Sequence, residues 1–205
     1  MGEPDFGTYH HSSRENSERL RETVKSMFIE AFERIPLERD KQVSILDIGC
    51  GNGFLLSLAG IFYPRSLLTG IDSFSGDSLH GSSIAQARKN MDMLGIGERT
   101  SILEADLLED KLPQEKFDLI ISNLVLHNLQ GRRFRAYRII GDLLKGDGYF
   151  LNGDLFMGTG AISDKFLQDM KKISSSFILD FTIEPPSQSI SFMKHYKLAG
   201  LRRVY

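Results

Sequence analysis

Apolar residues return along this chain in two alternating rhythms, one helical and one strand-like. Leu20, Val24, Met27, Phe28, Ala31, Phe32 and Ile35 recur at helical spacing from about Ser17 to Ile35, and Pro36 ends that helix. Val43–Ile48 predicts a first strand. Phe54–Tyr63 predicts a helix stopped by Pro64, and Ser66–Asp72 a second strand. A Gly/Ser-rich loop leads to a helix over Ser82–Leu94 that closes at Gly95. Thr100–Glu104 and Phe117–Ser122 predict the third and fourth strands. Arg132–Leu144 predicts a helix, Lys145–Gly148 a turn, and Tyr149–Gly153 a fifth strand. Beyond it come a helix holding Phe166, Leu167 and Met170, and the strand-like run Phe177–Ile183. Residues 1–16 are polar and irregular.

Strands alternating with helices at this interval predict βαβ units. The expected fold is α/β, a doubly wound, mostly parallel sheet with helices on both faces. Such a sheet binds ligands at the carboxyl ends of its strands, where the strand order reverses. With 205 residues and 41% apolar composition, one domain with a sizeable core is expected. Within it, residues 1–40 form an N-terminal segment and helix, 41–154 the binding core, and 155–205 a C-terminal part.

The junction of the first strand and the second helix carries the chemistry. Ile45-Leu46-Asp47-Ile48-Gly49-Cys50-Gly51-Asn52-Gly53-Phe54-Leu55 is a strand, an acid, three alternate glycines and a helix start. Bare backbone under a helix N-terminus suits a nucleotide-like ligand. Asp47 would repel a phosphate, so the nearby end of that ligand should be cationic. The dinucleotide fingerprint G-x-G-x-x-G would need its third glycine where Phe54 stands.

Asp47-x-Gly49-x-Gly51-x-Gly53 resembles the first motif of class I S-adenosylmethionine-dependent methyltransferases, of the Rossmann-like, small-molecule type. Three later strand ends resemble the successive motifs, in order. Asp72 ends the second strand, 19 residues past Gly53, and the resemblance gives it the ribose hydroxyls of S-adenosylmethionine, with Ser73 and Phe74 at the adenine edge. Asp106 would accept from the adenine amino group, with Ala105 and Leu107 against the ring. Asn123 would sit by the methionine end, followed by Leu124. Gly49, Cys50, Gly51, Asn52 and Gly53 complete the cofactor set. Cys50 fits a crowded turn better than it fits a nucleophile.

The resemblance implies a methyl transfer that leaves S-adenosylhomocysteine. The sulfonium is a good leaving group, so a base is needed only if the acceptor arrives protonated. His127, just after the fourth strand, is the candidate base or orienting residue. The resemblance also implies that residues 1–40 fold over the site as a lid and that the C-terminal part, 155–205, carries a substrate cap; Tyr9, His10, His11 and Asp154 are candidate substrate residues, and His195 is a weaker one. The family's sheet usually closes with an antiparallel seventh strand. Ile190–Leu198 reads as the helix before a sixth strand that starts at Ala199–Tyr205, so the closing strand is expected to be absent or rearranged, with Phe177–Ile183 in an unusual place. An exposed sheet edge there could invite dimerisation.

Bulk properties trim the alternatives. The formal charge is −2, so no global basic field draws the chain to nucleic acid or anionic membrane. The fourth motif lacks the Asn/Asp-Pro-Pro-aromatic of base and amide methyltransferases, and Arg132, Arg133, Arg135 and Arg138 read as a solvated helix face. One cysteine excludes a disulfide within the chain, fits a reducing cytoplasm, and leaves no multi-cysteine metal site. No metal is expected. The acidic start lacks the apolar stretch of a signal peptide, and no run is long enough to span a membrane. The expected partner is a small-molecule methyl acceptor with an O, N or C nucleophile, on a monomer or homodimer. The competing readings are an inactive cofactor-binding partner, an RNA methyltransferase and a nicotinamide-dependent oxidoreductase.

Overall fold

The computed structural model describes residues 2–10, 12–76, 78–110, 112, 114–157, 165–186 and 191–204, with no account of the side chains at 191 and 192. Seven strands form one sheet: β1 (Ser44–Ile48), β2 (Leu67–Asp72), β3 (Thr100–Glu104), β4 (Phe117–Asn123), β5 (Leu144–Leu155), β6 (Phe177–Ile183) and β7 (Tyr196–Arg203). Their order across the sheet is β3-β2-β1-β4-β5-β7-β6. The first five run parallel, and β7 is antiparallel to both β5 and β6.

Both faces of the sheet are buried, and the strand sequences show why. Ile45, Leu119, Ile121, Tyr149 and Leu151 join one core with α1 (Arg14–Arg34), α2 (Phe54–Phe62) and α3 (Ile84–Met93). Their neighbours Leu46, Ile120 and Phe150 join a second core with α4 (Arg133–Leu143) and α5 (Lys165–Ile173). Side chains alternate across a strand, so continuous apolar runs are what two-sided burial demands. Ser13 caps α1 by accepting from the Asn16 N–H at 3.1 Å, and Ser83 caps α3 through the Gln86 N–H at 3.1 Å.

The closing strand expected to be absent or rearranged is present. Tyr196–Arg203 is the antiparallel seventh strand, inserted between β5 and Phe177–Ile183, which is the sixth. The helix expected over Ile190–Leu198 is, in its described part, a short 3-10 turn at Ser191–His195 followed by strand. Leu198, Ala199 and Leu201 gave this segment an apolar pattern that fits either period over so short a run, and burial between two strands decides it. The turn expected at Lys145–Gly148 is a bulge within β5. Pairing moves from Phe117↔Leu144 to Leu119↔Tyr149, so five steps on β5 face two on β4.

The free edge at β6 is blunted. Its register shifts between Leu179 and Phe181, and the residue pushed out, Asp180, accepts the Tyr149 hydroxyl at 2.9 Å. A two-stranded ribbon, Thr8–Tyr9 against Leu79–His80, lies outside the sheet and was not foreseen in the polar N-terminus. No helix among the described residues is long and apolar enough to cross a membrane.

Candidate active site

Strand order reverses at β1, which has β2 on one side and β4 on the other. The crevice outside those strand ends is a cavity of about 780 Å³. Asp47, Asp72 and Asp106 all line it, although they leave three different strands. Gly49, Cys50, Gly51, Asn52, Ser73, Ala105, Leu107, Asn123 and Leu124 line it too. Gly53 and Phe74 do not. Phe74 packs on the core, and its N–H donates to Asp72 Oδ1 at 2.8 Å.

The turn after β1 needs its glycines. Gly49, Gly51 and Gly53 have φ of +70°, +48° and +84°, which disfavour a side chain. Space forbids one as well. A Cβ at Gly51 would fall 2.8 Å from Leu79 of the ribbon, and one at Gly53 2.6 Å from Met91 of α3. Asp72 Oδ2 accepts from the Gly51 N–H at 2.9 Å, so the acid at the end of β2 pins the turn after β1.

Asp47 is 1% exposed, and its Oδ2 is buried without a partner. Burial first, then the nearby Asp72 charge, pushes its carboxyl well above the usual range, and the Leu56 N–H at the start of α2 opposes this. An acid left unpaired at a cavity wall is a receptor for a positively charged donor. Cys50 is buried beside it. Burial, Asp47 and Asp72 all raise its thiol, which keeps it protonated and unsuited to nucleophilic attack.

Asp106 spends one oxygen locally, with Oδ1 accepting from the Leu108 N–H at 2.7 Å. Asn123 Oδ1 accepts from the Tyr196 hydroxyl at 2.8 Å, so β7 sets the orientation of that amide. Leu124 takes φ +59° to turn the chain off β4, and its N–H donates to the Gly153 carbonyl at 2.8 Å.

Asp154, at the end of β5, is buried and stands behind the cavity wall. Its Oδ1 lies 2.6 Å from His127 Nδ1, and its Oδ2 accepts the His127 main-chain N–H at 2.9 Å. His127 itself lines the cavity. With Nδ1 held, Nε2 is the ring atom left for other chemistry.

The N-terminal segment crosses this rim. Tyr9 and His10 line the cavity, while His11 lies outside the described residues. The Asp5 carbonyl accepts from Asn52 Nδ2 at 3.3 Å and Asn90 Nδ2 at 2.8 Å. Arg21 donates to the carbonyls of Phe6 and Gly7, and its guanidinium sits 5.2 Å from the centre of the Tyr9 ring. His195 is not among the cavity-lining residues, and its carbonyl accepts the Phe156 N–H. Sequence reasoning missed Ser12, Asn16, Leu20, Leu129 and Leu155 on the wall, and Asn90 beneath it. Asn90 falls with Ala87 and Met91 on the inward face of α3, and an Asn in that helical pattern is a signal that could have flagged it.

Residues 39–178 match the family described as methyltransferase domain. The chain belongs to that family. The malonyl-[acyl-carrier protein] O-methyltransferase of Legionella pneumophila is 29% identical over 110 residues, 54% of this chain and 36% of that protein. The ribosomal protein L11 methyltransferase of Haemophilus influenzae is 28% identical over 130 residues, 62% of this chain and 39% of that protein. The domain thus spans little more than a third of the length of these curated relatives. A SAM-dependent methyltransferase from Aquifex aeolicus superposes with a TM-score of 0.65 at 14% identity, covering 92% of this chain and 93% of that one. The [4+2]-cyclase SpnF superposes at 0.68 with 17% identity, covering 96% and 86%. The fold is that of the class I S-adenosylmethionine-dependent methyltransferases, and it also hosts a cyclase, so the reaction has to be argued from the site.

The side chains present fit S-adenosylmethionine. Asp47 offers an unpaired carboxyl oxygen that could accept from an ammonium, and Gly49, Cys50, Gly51 and Asn52 of the turn line the cavity beside it. Asp72 and Asp106 stand along the same rim where a ribose and an adenine would follow.

Proposed function

We propose that this domain moves the methyl group of S-adenosylmethionine to a hydroxyl oxygen of a small molecule, with His127 as general base. The arrangement that carries the reading is the His127–Asp154 pair on the cavity wall, 2.6 Å apart. When bound, the cofactor supplies an electrophilic methyl on a good leaving group. The chain's own work is then alignment, exclusion of water and removal of one proton.

Asp47, Asp72, Asp106 and Asn123 hold the donor along one rim. His127 Nε2 takes the proton as the acceptor oxygen attacks, and Asp154 stabilises the imidazolium that forms. The N-terminal strap, with Tyr9 and His10 on its inner side, serves as the lid, and residues 155–205 contribute Leu155 to the acceptor wall. Asn123-Leu124-Val125-Leu126 lacks the prolines and stacking aromatic that flipped bases and protein amides require, which supports a small acceptor over the RNA and protein targets in the names of some relatives.

The test is transfer of labelled methyl from S-adenosylmethionine to a panel of small phenols and alcohols, beside added RNA and ribosomal protein. Label in the small-molecule fraction that disappears in His127→Gln is the expected result. Label in RNA or protein instead would overturn the acceptor class. Calorimetric binding of S-adenosylhomocysteine with no label anywhere would leave an inactive cofactor-binding protein.

A further inference from the structure

The same cavity also constrains the charge of the acceptor. We propose that the acceptor is uncharged: a hydroxyl on a largely apolar body, with no carboxylate, phosphate or sulfonate near the reacting oxygen. This rests on the methyl-transfer reading above and goes on to name the acceptor chemistry.

Beyond the rim assigned to the cofactor, the wall includes Leu20, Leu129 and Leu155, with Ser12, Asn16, Asn128, Tyr9 and the imidazoles of His10 and His127 as its polar points. None of these side chains carries a permanent positive charge. Among the described residues that line the cavity there is no Lys or Arg, and the acids are Asp47, Asp72 and Asp106. Bound S-adenosylmethionine brings one net positive charge, from a sulfonium and an ammonium less a carboxylate. Three carboxylates against one cation leave a negative field in a partly apolar space, where screening is weak. An anionic acceptor would be repelled and would meet no Lys or Arg among the described lining residues.

Several cations outside the cavity lining are committed to other partners. Arg21 packs behind Tyr9 and spends its donors on the Phe6 and Gly7 carbonyls. Arg133 and Lys165 are both paired with Asp169, and Lys197 with Glu184. A malonyl acceptor, as in the name of the Legionella relative, would bring a carboxylate to a wall with no Lys or Arg among its described residues. An apolar body, in contrast, gains from burial against the leucines.

Two fluorescent probes with the same ring system separate the cases. N-phenylnaphthylamine is neutral, and anilinonaphthalenesulfonate is its sulfonated counterpart. The parent chain has no Trp, and the probes are excited outside the indole band so that the Leu155→Trp variant can be read in the same way. Each probe is titrated into the full chain saturated with S-adenosylhomocysteine, whose own binding is measured first by calorimetry. The neutral probe is expected to bind at least about tenfold tighter than the sulfonate. Asn16→Lys, a change at an exposed position of the first turn of α1, is expected to recover about tenfold for the sulfonate and little for the neutral probe. Leu155→Trp is expected to block the neutral probe while S-adenosylhomocysteine still binds.

Equal affinity for the two probes would overturn the proposal. So would absence of binding by the neutral probe, or binding that Leu155→Trp leaves untouched. In each of those outcomes a normal S-adenosylhomocysteine isotherm keeps the methyl-donor reading standing. A missing isotherm strikes that reading instead.

Discussion

Asp154 grips His127 at two points, the ring Nδ1 at 2.6 Å and the main-chain N–H at 2.9 Å. Ring tautomer and loop position are therefore set by one carboxylate from the neighbouring strand. Asp154→Asn keeps the shape but can no longer stabilise an imidazolium. Methyl transfer should fall by about 10²–10⁴-fold in His127→Gln, and substantially in Asp154→Asn. The dissociation constant of S-adenosylhomocysteine should stay close to the parent value in both. Single-turnover rates together with calorimetry check the pair, and a weakened isotherm in His127→Gln would make that residue part of the cofactor site instead.

Asp72 joins two turns, accepting from Gly51 and Phe74 at 2.9 and 2.8 Å. Asp72→Ala strips those N–H groups of a partner, and a bound ribose as well. S-adenosylhomocysteine binding should weaken by about 1–3 kcal/mol. Calorimetry at matched ionic strength measures it, and an unchanged affinity would remove Asp72 from ribose recognition.

Asp47 gives the domain a pH dependence with a definite sign. Its folded carboxyl is raised by burial and then by Asp72, so the folded state holds a proton that the unfolded chain releases near pH 4, within about a unit. Stability from this group is complete below the unfolded value and is lost as pH rises through the folded one. Asp47→Asn should therefore stabilise the protein without cofactor at neutral pH, by about 0.5–2 kcal/mol, and the gain should shrink toward pH 4. An ammonium held against Asp47 favours the ionised form, so affinity for S-adenosylhomocysteine, through its amino group, should rise with pH, with proton release visible as a buffer-dependent binding enthalpy. Asp47→Asn should abolish that release and weaken binding.

Asn90 is fully buried in α3 and makes four hydrogen bonds. It accepts from the Asp5 N–H at 3.0 Å and Gln86 Nε2 at 2.9 Å, and donates to the Asp5 and Asn52 carbonyls at 2.8 and 2.9 Å. It thereby ties the N-terminal strap to the glycine turn. Asn90→Ala should cost about 1–3 kcal/mol in denaturant unfolding. It should also speed hydrogen exchange at the Tyr9 and His10 amides well before exchange in β1 and β4 changes. Uniform acceleration across the sheet would mean that Asn90 serves global stability only.

The sequence by itself determined the parallel half of this protein and the rim of its cavity. Those strands read as continuous apolar runs because both their faces are buried, and each ends in a residue whose type is dictated locally. Gly49 and Gly51 answer to the turn, while Asp47 and Asp72 stand where β1 and β2 stop. Sheet closure was beyond local pattern. Whether residues 196–203 coil or extend depends on a slot between β5 and β6, strands about 50 and 20 positions earlier in the chain, and an apolar run of that length satisfies either period. The same holds for the His127–Asp154 contact, for the amide cluster on the Asp5 carbonyl and for the leucine wall. Each depends on side chains far apart in the chain, held at distances that only the packed layers set.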